Sequence, residues 1–391
     1  MTSAFTIDEL IAEAQAATGL SDFGDGYFRE NAAVLISDVL ASGATEAGVR
    51  TARGGVLNTL TTRLKVLGDR AADPTIAAQQ IRRPIIVLGL PRSGTTFLHA
   101  LLSRDPNARS PLQWEMSRPS PPPRDETYTT DPRIELSRTE MAADAETQRL
   151  HMQDAELPAE CGGFLRHEFM ATGNFAFFDA PNYLERIISD EAGERVRSAY
   201  AFHKMMLQHH QSHTARKDWV LKSPQHTAHV AELVATYPDA TLVVTHRDPL
   251  QTLPSLASLV SHFRVRNYAN VGRAKVGAAV LDLWSRAMRR TMRLREADAT
   301  LDQRIVDVDY KALVRDPMGV VRRIYETRGE TLGAQSEAVM SAWVDENRQD
   351  QHQAKHGSHK YTAAEFGLDS AQIAAAFADY RERFIGSGAP A

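Results

Sequence analysis

The stretch PIIVLGLPRSGTTFLHALL, from Pro84 to Leu102, restricts the fold of this chain more than any other. IIVLGL is a short unbroken apolar run, as expected of a strand buried on both faces. FLHALLSRD reads as a helix ending near Asp105 and Pro106. Between strand and helix, Gly89 and Gly94 stand at the glycine spacing of a phosphate-binding loop. A backbone free of side chains curls there and points its N–H groups at an anion, and the helix start behind it adds unpaired donors. An ATP-type loop continues with Lys and then Ser or Thr. Here Thr95 and Thr96 follow, and the positive charge sits inside the loop at Arg92. Taken alone, the motif leaves open a generic strand–turn–helix with a chance PRSGTT.

The rest of the chain alternates in the same way. Residues 1–80 read as a helical N-terminal extension: Ile7, Leu10, Ile11 and Ala14 recur at helical spacing, as do Val34, Leu35, Val39 and Leu40. Residues 81–391 read as one α/β domain. The proline-rich segment 111–133 is expected to be extended, either a surface linker or an active-site wall. DWVLKSP, TLVVTHRDP and RIVDVDY read as strands ending near Lys222, Arg247 and Tyr310. QHTAHVAELVATYPDA reads as an amphipathic helix. PLQTLPSLASLVSHF is a further helix that Pro254 should bend or delay, and residues 276–297 and 317–325 are also helical. Strands alternating with helices imply a parallel sheet, with ligands beyond the strands' carboxyl ends. Arg92, Lys222, Arg247 and Tyr310 all fall there.

The net charge of −4 does not support general nucleic-acid or membrane-surface binding. A single cysteine, Cys161, allows no internal disulfide. The N-terminus lacks the features of a signal peptide, and no apolar run approaches the roughly 18 residues of a membrane span. A soluble cytoplasmic protein is expected.

Strand–PRSGTT–helix resembles the 5′-phosphosulfate loop of sulfotransferases that use 3′-phosphoadenosine 5′-phosphosulfate (PAPS). THRDPLQTLPSLASL carries Arg247 and, eight residues on, Ser255. This resembles the segment in which an Arg and a Ser bind the donor's 3′-phosphate. LQWE, HMQDAELPAEC, WVLKSPQH, DVDYKALVRDP, HGSHKY and AAEFGL are similar to segments of the large, mainly bacterial branch of that family. Around the loop and the WE position the similarity reaches tyrosylprotein sulfotransferases. The resemblance covers roughly residues 80 to 385 and implies a P-loop NTPase-like parallel sheet flanked by helices. One departure is plain: the RKGxxGxWK segment of cytosolic aryl and steroid sulfotransferases is missing. HKYTAAEFGL stands in its place, which leaves open what completes the 3′-phosphate pocket.

The resemblance implies roles for the site residues. Arg92, Ser93, Gly94, Thr95 and Thr96 hold the 5′-phosphosulfate, and Arg247 and Ser255 the 3′-phosphate. Lys222 meets the charge growing on the bridging oxygen; otherwise it is a strand-end lysine. Tyr310 lies near the nucleotide, or is a core or rim aromatic. Sulfuryl transfer is then mostly positioning and electrostatics. An acceptor hydroxyl needs a base. Glu115 is the first choice, beside Trp114, where partial burial favours proton uptake; His151 is the second and Glu160 the third.

Other features carry less. His352, His356 and His359, and separately His209 and His213, have spacings a zinc site can use, but no acid or cysteine partner is evident. RAMRRTMRLR is expected to be a solvated basic helix face that could also attract the donor. Cys161 reads as a small buried hydrophobe. Apart from Asp307 and Asp309, no strand-end acid stands out to hold Mg²⁺. The reading reached is a metal-independent PAPS-dependent sulfotransferase acting on a hydroxyl of a small molecule, lipid or sugar. A P-loop nucleotide kinase or NTPase, and a non-catalytic module that binds 3′-phosphoadenosine 5′-phosphate (PAP) or another anion, are the alternatives.

Overall fold

The computed structural model describes residues 4–142, 154–353 and 362–386. In chain order the elements used below are α1 (Ile7–Thr18), α2 (Phe28–Ala41), α3 (Glu46–Ala72), β1 (Ile85–Gly89), α4 (Thr95–Leu102), β2 (Ala108–Arg109), α5 (Gln113–Ser117), α6 (Gly193–Gln211), β3 (Asp218–Lys222), β4 (Thr241–His246), α7 (Pro249–Arg264), α8 (Arg273–Ala297), β5 (Ile305–Asp309), α9 (Tyr310–Arg315), α10 (Pro317–Thr327), α11 (Ala334–Gln353) and α12 (Ala378–Phe384). Packing divides the chain into two compact units. One comprises Met1–Ile81, Pro111–Lys217 and Leu259–Val271, and the other Arg82–Ser110, Asp218–Ser258 and Gly272–Ala391.

The first unit is helical. A capping box opens α1: Thr6 Oγ1 accepts from the Glu9 amide and the Glu9 carboxylate accepts from the Thr6 amide. Gly19 closes it in the left-handed conformation. Ile7, Leu10 and Ala14 are buried, as the helical spacing predicts, whereas Leu40 of α2 is exposed. At the centre of this unit lies Arg63 of α3. Its guanidinium donates to the carbonyls of Phe23, Asp25 and His167 and to the Glu168 carboxylate at 2.6–2.8 Å. The Phe28 and Phe202 rings sandwich it at 4.5 and 4.4 Å.

The second unit is built on a five-stranded sheet in the order β2-β3-β1-β4-β5, parallel throughout. Ile85 pairs with Val220 on one side and Thr241 on the other, and His246 pairs with Asp309. Every residue of β1 is buried, as a central parallel strand requires. The core on one face joins Val87, Val243 and Val308 to Leu98, Leu101 and Leu102 of α4 and to Val321 and Ile324 of α10. Burying each such side chain is worth about 1.5–3 kcal/mol.

Several local expectations are corrected. The loop helix stops at Leu102, short of Asp105. The segment 111–133 is not extended throughout, because α5 forms within it and a further helix, Pro132–Ala142, begins in it. The expected single helix after β3 is a 3-10 turn over Pro224–Ala228 followed by a separate helix, Val230–Thr236. Pro254 does not delay α7, which begins at Pro249 and runs through it. The basic run of α8 is not a plain solvated face: Arg295 is buried and donates to Asp302 and Asp307.

Candidate functional site

The carboxyl ends of β1, β3, β4 and β5 bring together the residues that the sequence singles out in the second unit. Two glycines set the loop. Gly89 has φ +126°, and a Cβ there would lie 2.5 Å from the Thr245 carbonyl oxygen. Gly94 has φ +95° and caps α4, with Leu313 and Tyr310 closing over the space a side chain would need. Arg92 between them also adopts the left-handed region, φ +69°, an arrangement that costs a non-glycine residue about 1–3 kcal/mol.

Ser93 explains how that strain is held. Its hydroxyl is buried, 2.5 Å from the Leu90 carbonyl and 2.6 Å from Thr245 Oγ1. The Ser93 side chain therefore braces the loop against β4 and is turned away from the loop's open side, where the sequence reading had placed it among the phosphate contacts. The Gly89 amide donates to Thr227 Oγ1 at 3.0 Å, tying the loop's other end down. Thr95 is buried in the first turn of α4, whereas Thr96 is exposed and accepts from Lys222 Nζ at 3.3 Å. The first amides of α4 point out of the helix start toward the loop.

Lys222 is the last residue of β3 and only 1% exposed, yet its ammonium reaches the loop. Behind it His99 of α4 is fully buried with Nε2 3.2 Å from the Val220 carbonyl, so the neutral imidazole donates there. Burial and the Lys222 ammonium push its pKa down to about 3.

Two guanidiniums complete the edge. Arg92 is exposed and donates through Nε to Ser255 Oγ at 3.2 Å. Arg247 donates to the Arg92 carbonyl at 3.0 Å and to Gln251 Oε1 at 3.2 Å, and stacks 4.1 Å above the Tyr310 ring. Arg92, Ser255, Arg247 and Tyr310 thus form one connected group. Among the described residues neither arginine has a carboxylate partner. Gln251, one turn along α7, escaped the sequence reading; its place four residues after Arg247 was the available signal.

The remaining strand-end acids have other partners. Asp307 accepts from Arg295 at 2.7 and 2.8 Å and lies 2.7 Å from His246 Nε2, and these contacts hold its pKa down at about 2 against the opposing effect of burial. Asp309 caps α9 through the Ala312 amide.

Glu115 lies in the other unit. Its side chain is fully buried, and Oε2 accepts from the Leu112 amide at 2.7 Å, capping α5. Glu160 is exposed at the start of the turn Cys161–Glu168. His151 lies outside the described residues, as do His356, His359 and the side chain of His352. The pair His209 and His213 does have acidic partners, contrary to expectation: Asp69 Oδ2 lies 3.0 Å from His209 Nε2 and Asp73 Oδ2 lies 3.3 Å from His213 Nε2. Each histidine meets a different aspartate. Cys161 is buried.

A family model described as the sulfotransferase family matches residues 84–333. Over 272 residues, 68% of this chain, the sequence is 25% identical to the omega-hydroxy-beta-dihydromenaquinone-9 sulfotransferase Stf3 of Mycobacterium bovis and of Mycobacterium tuberculosis. The match spans 66% of the length of those curated relatives, just under two thirds. The crystal structure of sulfotransferase STF1 from Mycobacterium tuberculosis is similar with a TM-score of 0.84 and 30% identity, covering 97% of this chain and all of the other. Sulfotransferase STF9 from Mycobacterium avium is similar with a TM-score of 0.85 and 30% identity, covering 98% of this chain and 97% of the other.

Proposed function

The chain belongs to the sulfotransferase family, and on that footing we propose that it transfers the sulfuryl group of PAPS to a hydroxyl of a small-molecule or lipid acceptor. The observation that carries this reading is the pair of guanidiniums, Arg92 and Arg247, joined through the Arg92 carbonyl and lacking a carboxylate partner among the described residues. Arginines without a carboxylate partner among the described residues suit a ligand that brings its own anions, and a fork of N–H donors suits phosphate. The loop amides and Arg92 would take the 5′-phosphosulfate. Arg247 and Ser255 would take the 3′-phosphate, with Tyr310 fixing the Arg247 side chain from below.

In the transfer the bond between sulfur and the bridging oxygen breaks, a bond from sulfur to the acceptor oxygen forms, and the acceptor proton passes to a base. Lys222 would meet the charge left on PAP. Glu115 is the proposed base, from its place in the sequence nineteen residues after Thr96. A relative named for a hydroxylated menaquinone agrees with a hydroxyl acceptor.

The test is thermal stability of the purified protein with PAP, with ADP and with ATP–Mg²⁺. A ligand bound only by the native state adds about 2.7 kcal/mol at a hundred times its Kd. Stabilisation by PAP without metal is expected. Stabilisation by ATP–Mg²⁺ with none by PAP would replace this reading with a nucleotide kinase.

A further inference from the structure

We propose that α12, near the C-terminus, is a clasp that presets Arg247, making Tyr380, Arg381 and Phe384 positioning residues for donor binding; this rests on the donor reading above. Arg247 is the first residue past the sheet. The ladders end at Gly89↔Thr245 and His246↔Asp309, so no strand pairing fixes the Arg247 backbone. Helix α12 supplies that constraint. It holds three successive residues, His246, Arg247 and Asp248. The Phe384 ring stacks on the His246 imidazole, centroids 3.9 Å apart and planes 7° from parallel. The Tyr380 hydroxyl lies 3.5 Å from the Arg247 carbonyl and 3.3 Å from His246 Nδ1. Arg381 reaches both oxygens of Asp248, at 3.2 and 3.4 Å.

The polarity of these contacts is consistent. Asp307 is a carboxylate held by Arg295, so His246 must present a proton at Nε2 to meet it. Nδ1 is then an acceptor, and the single Tyr380 proton is shared between it and the Arg247 carbonyl. His246 is thereby fixed from both ring nitrogens and one face. A long arginine side chain loses rotamer freedom when fixed, so a backbone and a Tyr310 platform already in place reduce what the ligand must order. The clasp offers the phosphate nothing directly: Tyr380 is 2% exposed and Arg381 is paired with Asp248. It also lies beyond the stretch 84–333 that the family model matches.

The test is calorimetric titration of PAP into the full chain and into Tyr380→Phe, Arg381→Ala, Arg247→Ala and the double variant Arg381→Ala/Arg247→Ala. Tyr380→Phe removes one hydroxyl and keeps the ring, so the fold is retained. Each clasp variant is expected to weaken PAP binding about three- to tenfold. The double variant should bind PAP as Arg247→Ala does, because the clasp acts only through Arg247. Wild-type affinity in both clasp variants would overturn the proposal, and so would losses that simply add in the double variant. No PAP binding by the wild-type chain would instead remove the donor reading on which it rests.

Discussion

Arg63 and Arg247 are the same residue put to opposite uses. Arg63 is 1% exposed and fully matched, with a buried carboxylate, three carbonyls and two aromatic faces around one guanidinium. Arg247 is half-buried at a strand end, with a glutamine, a carbonyl and one ring for company, and no carboxylate among the described residues. A buried charge must be compensated within the fold, so Arg63 reads as architecture. A cation left without a counter-ion at a sheet's carboxyl edge reads as half of an interaction whose other half is a ligand.

The contrast makes predictions that separate stability from binding. Arg63→Met leaves Glu168 buried without its charge partner and is expected to cost about 3–5 kcal/mol in denaturant unfolding. A loss under 1 kcal/mol would mean that Arg63 is not the ion it resembles. Glu115→Gln keeps an oxygen to cap α5, so stability should hold while turnover falls about 10²–10⁴-fold. Undiminished turnover would pass the base role to His151. Arg247→Ala should behave as the inverse of Arg63→Met: PAP binding about ten- to a hundredfold weaker with the unfolding midpoint nearly unchanged. If the variant melts early and still binds PAP as tightly as wild type, the two arginines have been assigned the wrong way round.

Acid should weaken the fold. His99, His226 and His229 in the sheet unit and His167 in the helical unit are buried, and burial pushes each pKa down to about 3. The unfolded chain therefore binds more protons than the native one between about pH 6.5 and 3, so stability is full above that window and falls as pH drops through it. Each such histidine contributes a slope of up to about 1.4 kcal/mol per pH unit. Urea midpoints at pH 7 and pH 5 check this, and equal midpoints would rule it out. The smallest effect expected is from Tyr310→Leu, which removes a half-buried cation–π contact of about 0.5–1 kcal/mol and should weaken PAP binding two- to fivefold.

Much of this was legible in the chain. A short unbroken apolar run ahead of a glycine loop suits a strand covered on both faces, and a positive charge moved from after the second glycine to Arg92 distinguishes this loop from an ATP-type one. Arg247 and Tyr310 stood out because strand ends feed one edge of a parallel sheet, and Ser255 because THRDPLQTLPSLASL resembles a sulfotransferase segment. Other parts were not. Ser93 stands in the loop like its neighbours, but whether a hydroxyl faces a ligand or the core depends on Thr245, 152 residues away. The acids that meet His209 and His213 come from residues 69 and 73, and the residues that hold Arg247 in place come from α12.

The sequence by itself determined most of the elements, the parallel sheet and the glycine turns of the loop, because periodicity and glycine spacing are local properties. Only the tertiary structure decided which charges are neutralised and which are left for a ligand. Whether an arginine has a counter-ion depends on residues that meet it only after folding, 105 positions away for Arg63 and Glu168.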